Sequence, residues 1–196
     1  MLNFKTNNYK ILSNKIGYDT RICKEYRSLS VACLFNKAKV FGKNGEFGLS
    51  DQEFSNILGL SLRTFKRAKA HIKDRLSMRI GEGNKTYYTI IKDMEYEPIY
   101  YRSFDRCHYT LMNNNLKWAA FLAQCLYWWN KALEKGNLEF SKTDQQIMED
   151  LPFISQDILT SIKKMAVIKG FITIKRKKRG TEWGVSHYSI NPTRLE

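Results

Sequence analysis

The stretch that most restricts the fold is residues 50–89, SDQEFSNILGLSLRTFKRAKAHIKDRLSMRIGEGNKTYYT. Ser50 followed by Glu53 opens a helix with a capping box, in which each side chain satisfies an orphan amide of the first turn. Phe54, Ile57 and Leu58 continue at helical spacing. Gly59 is the residue type that accepts the left-handed turn ending a helix. Ser61 caps a second helix, whose Leu62, Phe65, Ala68 and Ile72 recur at steps of three and four and so form one buried stripe. The opposite face carries Arg63, Thr64, Lys66, Arg67 and Lys73. LSMRI and TYYTI then flank GEGNK, the pattern of a β-hairpin. Two helices, a tight turn between them and a hairpin after them predict a winged helix-turn-helix, whose second helix enters the DNA major groove. A plain helix pair with a solvated cationic face would give the same local pattern. Two other features favour DNA.

The first is charge. The 196 residues carry 33 Lys and Arg against 19 Asp and Glu, a formal net charge of +14. That balance predicts a polyanionic partner, nucleic acid or an anionic membrane surface. The membrane is the weaker choice, because no apolar run approaches the roughly 18–20 residues of a spanning helix. The opening MLNFKTNNYK also lacks the apolar core of a signal peptide. Cys23, Cys33, Cys107 and Cys125 are widely spaced, without a C-x-x-C pair. They predict reduced thiols in a cytoplasmic, nucleoid-associated protein, with no structural zinc and no other cofactor.

The second feature is repetition. Residues 26–42 read as a helix packed behind the helix-turn-helix, and Phe47 and Leu49 as a short strand beside the wing. Residues 92–112 hold Pro98 and alternating aromatics, and predict a linker or extended segment with a domain boundary near 93. Residues 1–20 are compatible with an arm, a strand or a tail. Residues 116–133 predict a long helix with Trp118, Phe121, Leu122, Cys125 and Trp129 on its apolar face. Tyr127, Trp128 and Trp129 are adjacent, so one ring is left to stack on a base or meet a partner. Gly136 ends this helix, LEF is a short strand, and Ser141 caps TDQQIMEDL, which Pro152 stops. Ser155 caps QDILTSIKKMAVI, with Ile158, Leu159, Ile162 and Met165 inward. Gly170 then precedes a second hairpin, FITIKRK and EWGVSHYSI.

The predicted fold is therefore α+β, mainly helical. It has two tandem winged helix-turn-helix domains, residues 1–92 and 93–196, each of three helices plus a hairpin wing. The first presents Ser61, Arg63, Thr64, Lys66, Arg67, Lys69 and Lys73 from its second helix and Lys85 from its wing. The second presents Gln156, Thr160, Lys163 and Lys164, with an acidic Asp157 among them, and a wing holding Lys175, Arg176, Lys177, Lys178 and Arg179. Arginine suits guanine edges and lysine acts as a point charge on phosphate. The first domain is expected to read bases through its helix, and the second to grip phosphates through its wing.

FLAQCLYWWNKA, the segment EFSKTDQQIMEDLPFISQDILTSIKKMAVIKGFITIKRKKRG and SHYSINP resemble replication proteins of phages and mobile elements. Two such modules in tandem resemble the winged-helix replication initiators of plasmids. The resemblance covers residues 26–91 and 116–192 and implies sequence-specific binding of double-stranded origin DNA. It also implies contact with a helicase or other replication protein, and a homodimeric form in some members. A repressor built of the same parts, or an interaction module docking a helicase, are the alternatives. Nothing predicts an enzyme: His71, His108 and His187 are isolated, there is no D-x-D pair to hold two metals, and no phosphate-binding G-x-x-x-x-G-K-[ST] loop.

Overall fold

A computed structural model describes residues 15–179 and 182–194, with backbone alone at 84, 177–179 and 182–184. The architecture is α+β, with eight α-helices and three small antiparallel sheets among the described residues. The order of elements runs through one series twice. The first pass is β1 (Lys15–Asp19), α1 (Thr20–Tyr26), α2 (Leu29–Phe41), β2 (Phe47–Leu49), α3 (Asp51–Leu58), α4 (Leu62–His71), β3 (Leu76–Ile80) and β4 (Thr86–Ile90). The second is β5 (Tyr101–Asp105), α5 (Arg106–Leu111), α6 (Leu116–Leu133), β6 (Phe140–Lys142), α7 (Asp144–Asp150), α8 (Gln156–Ile168), β7 (Ile172–Arg179) and β8 (Glu182–Ile190). Each pass ends in a three-stranded sheet with the hairpin's second strand in the middle, ordered β2-β4-β3 and β6-β8-β7.

Each unit thus has one strand and one short helix more than the three helices, short strand and hairpin expected from sequence. The added strands join the units. β1 pairs antiparallel with β5, and Gly17 faces Ser103 at the centre of the ladder. Each of these residues lies two positions before the aspartate, Asp19 or Asp105, that precedes its unit's short helix. The strand pair is therefore centred on matching positions of the two series, with a local twofold axis through it. A Cβ on Gly17 would fall 1.9 Å from the Tyr101 hydroxyl, so any larger residue there would displace that ring.

Local chemistry explains most boundaries. The Ser50–Glu53 capping box opens α3, and Gly59, at φ 67°, closes it. Ser61 caps α4 through the Thr64 amide. In the second unit the cap of α7 is Thr143, with Gln146 completing its capping box, and Ser141 lies inside β6. The expected pairing of Ser50 with Ser141 is thus corrected to Thr143. Phe140 must sit opposite Tyr188 as Phe47 sits opposite Tyr88, and that register carries Ser141 into the strand. Of the three adjacent rings on α6 the least exposed is Trp128, while Trp129 is half-buried and donates its indole N–H to the Leu138 carbonyl at 3.1 Å. Tyr127 is the ring left outside, 53% exposed.

The buried side chains form one cluster running through both units. Tyr18 on β1 packs edge-on against Phe153 of the second unit, with ring centroids 5.7 Å apart. The segment between the units is held down along its length. Lys39 pairs with Asp93 at 2.5 Å and donates to the Met94 carbonyl at 2.7 Å. Arg21 pairs with Asp19 and Glu97, donates to the Glu95 carbonyl at 2.7 Å, and lies over the Tyr100 ring.

Candidate nucleic-acid interface

Burying Phe65, Ala68 and Ile72 forces the other side of α4 outward. Arg63, Lys66 and Arg67 are exposed on that side, while Lys73, expected on the same helix face, is exposed in the turn after α4 ends at His71. Ser61 is engaged in the cap, its Oγ 2.8 Å from the Thr64 hydroxyl, so these two shape the helix start. Lys85 is exposed at the hairpin turn, where Gly83 takes φ 66°. Arg79 on β3, which the sequence pattern did not single out, lies over the Tyr87 ring and is bound by Glu46 at 2.5 Å.

Lys69 behaves differently from its neighbours on α4. It turns inward, pairing with Asp51 at 2.5 Å, donating to the Thr86 hydroxyl at 3.0 Å and lying over the Tyr88 ring. The second unit builds the same cluster. Lys163 pairs with Asp144 and lies over Tyr188, which follows Ser186 as Tyr88 follows Thr86. In each unit the aspartate is the first residue of one helix, the lysine comes from the next, and the tyrosine stands in the central hairpin strand. A phenylalanine of the short strand stacks on that tyrosine, at 5.2 Å for Phe47 and 5.0 Å for Phe140. The cluster ties both helices to the hairpin.

Burial raises the pKa of Tyr88, and neighbouring Asp51 adds to it, so the phenol stays protonated. Burial alone would raise the Asp144 carboxyl as well. The Lys163 and Gln156 hydrogen bonds outweigh it and hold that pKa below the ordinary value. A signal for these clusters exists in the sequence: an aspartate one residue after a helix cap, with a lysine 18 or 19 positions on.

The outer face of α8 is less basic. Gln156 donates to Asp144 at 2.9 Å, and Thr160 donates to the Gln156 carbonyl at 2.9 Å. Lys163 is turned inward, and Lys164 is exposed. Near its end Val167 and Ile168 are exposed, where the first unit has Lys73 and Asp74. On β7, Lys175 is exposed and pairs with Glu139 at 3.1 Å, and Arg176 is exposed with its charge acting on Asp144. The expectations for Lys177, Lys178 and Arg179 fall on side chains outside the described residues.

No three His, Cys, Asp or Glu side chains among the described residues are grouped to hold a metal ion. His187 Nδ1 is 2.9 Å from the Ser141 hydroxyl and 3.8 Å from Glu139. Both neighbours share one ring nitrogen, whereas a nucleophile relay needs the hydroxyl and the acid on opposite nitrogens. Cys23, Cys33 and Cys125 are buried free thiols, and burial pushes the pKa of each upward. No helix among the described residues is long and apolar enough to cross a membrane. No protein-family model matches this chain, and no curated protein matches it in sequence.

Proposed function

We propose that this chain is a tandem winged-helix protein that binds double-stranded DNA sequence-specifically, as the replication initiator or origin-binding protein of a phage, plasmid or other mobile element. The observation that carries the reading is the twice-run element series. Each series holds two helices joined by a short turn and followed by a hairpin, and one displays Arg63, Lys66 and Arg67 on its open helix face, with Lys73 in the turn that follows. In this reading α4 lies in the major groove, where Arg63 and Arg67 meet base edges while Lys66 and Lys73 meet phosphates. The second unit contributes phosphate contacts from β7 and from Lys164. The net charge of +14 supplies the long-range attraction.

The local twofold between β1 and β5 adds a geometric consequence. Two units related in this way face a duplex in opposite senses, so the two contacted segments are inverted with respect to one another. The experiment is selection of bound sequences from a random duplex pool by the full chain, followed by footprinting. The reading expects one enriched site with two protected segments of opposite sense. Iterated copies of that site in the parent replicon mark an initiator, and a single copy beside a promoter marks a repressor. A pool that shows no enrichment, or salt-insensitive binding, overturns the reading.

A further inference from the structure

The inward lysine of each cluster fixes how its helix is turned. Lys69 of α4 and Lys163 of α8 make the same contacts, to the aspartate that opens the preceding helix and to the tyrosine of the central hairpin strand. With these lysines in register, Phe65 and Ala68 take the positions of Leu159 and Ile162, and all four are buried. Arg63, Lys66 and Arg67 take the positions of Asp157, Thr160 and Ser161, and all six are exposed. α8 therefore presents the same face as α4 with different side chains on it.

The differences act together. Asp157 makes no ion pair and no side-chain hydrogen bond among the described residues, in a chain with 33 Lys and Arg. Asp144, the other helix-opening aspartate of this unit, is taken by Lys163 and Gln156. Thr160 and Ser161 are short where Lys66 and Arg67 are long, and the longer Gln156 is held against Asp144 at 2.9 Å. Nothing on the first turns of α8 holds the helix axis away from the floor of a groove, so a carboxylate on a single methylene can reach it. The cations sit elsewhere. Lys164 stands where α4 has Ala70. On β7, Lys175 and Arg176 pair with His187 and Ser186, as Arg79 and Ile80 of β3 pair with Tyr87 and Thr86. A carboxylate only accepts hydrogen bonds. In the major groove guanine and thymine present acceptors, and adenine sets N7 beside its amino group. Cytosine offers its N4 donor with no acceptor on its own edge.

We propose that Asp157 makes α8 a second base-reading helix, which selects cytosine through its N4 amino group. The site is then an imperfect repeat: where Arg63 meets guanine in one half, the matching base of the other half is cytosine. This rests on the DNA reading above and adds to it a base preference for the second unit, which that reading gives phosphate contacts alone. A carboxylate in a first turn also favours the helix dipole. That role affects stability and leaves base choice untouched.

The test takes the full chain and its Asp157→Asn and Asp157→Ala variants through selection from a random duplex pool, with thermal unfolding of all three. Wild type should enrich cytosine at one position of the half-site that Arg63→Ala leaves intact, by about tenfold over adenine. Asp157→Asn should move that position to adenine, whose N6 and N7 pair with a carboxamide. Asp157→Ala should leave it without preference, and the other half should keep its motif in both variants. An unchanged motif in Asp157→Asn overturns the inference, and a loss of stability with it assigns Asp157 to the helix start. A wild-type motif confined to the half-site of Arg63 also overturns it, because the second unit then holds phosphates only and the DNA reading stands. A pool with no motif in either half removes the DNA reading and the inference together.

Discussion

Lys163→Met removes the cation that Asp144 and the Tyr188 ring share, leaving a part-buried carboxylate that keeps its Gln156 hydrogen bond. The loss should be about 1.5–3 kcal/mol, the range for hydrogen bonds to charged groups. The folded-state pKa of Asp144 is depressed. Its stabilisation is therefore present above the ordinary carboxylate pKa of about 4 and is lost as pH falls through the lower folded value. Denaturant titrations at pH 7 and pH 3 should show the gap between wild type and variant shrinking at the acid end; a gap independent of pH would place the effect in packing. Lys69→Met should likewise cost stability at pH 7 by breaking the ion pair with Asp51 in the first unit, and the two losses should add, since no partner is shared. Arg63→Ala or Arg67→Ala, by contrast, should leave stability unchanged. Each should weaken specific DNA binding by about 1–3 kcal/mol and relax preference at one base position. Selections repeated with the double variant would detect this, and an unchanged motif would remove α4 from the major groove. Charge count alone could not sort these lysines. Lys66 and Lys69 are three residues apart on one basic helix, and the partners that turn Lys69 inward, Asp51, Thr86 and the Tyr88 ring, all lie on other elements.

At the scale of elements, the second hairpin is expected to act through charge. Neutralising Lys177, Lys178 and Arg179 together should weaken binding to all duplexes alike. The dependence of log K on log salt should flatten by up to about one unit for each phosphate the hairpin ceases to neutralise. A defect confined to the selected sequence, with the salt slope kept, would mean that this hairpin reads bases. The helices were legible in the sequence because their signals are local: the Ser50 box, Gly59 at positive φ and the Ser61 cap all act within one turn. β1 and β5 were not, because each is a strand only by virtue of a partner about 86 residues away. The choice between Trp128 and Trp129 was equally non-local, since it depends on Phe140, whose ring lies 5.5 Å from that of Trp128. The α4 face was read from periodicity. The edge position of β3 was not, since a hairpin pattern does not say which strand lies outermost.

For the whole molecule, the proposed DNA reading makes the strand pair and the shared core a constraint on site spacing. Inserting about 5 bp, half a turn, between the two protected segments should cost more than tenfold in affinity. Inserting about 10 bp should not restore it, because the right face returns but the distance does not. Recovery at a full turn would mean that the units swing independently on the segment at 92–100. Cutting the chain near residue 92 is a poor substitute for this test. It strips β5 from β1 and uncovers Tyr18 and Phe104, which are 1% and 2% exposed in the intact chain.

The pairing of Gly17 with Ser103 has one more consequence. In a dimer of identical subunits, any substitution appears on both sides of the axis, so one half cannot change its task while the other keeps it. Here the two halves share a single chain and each position occurs once. Asp157 could stand where its counterpart is Arg63, and Arg176 where its counterpart is Ile80, at no cost to the other half. The covalent link keeps the symmetry of the scaffold and releases its surfaces from it.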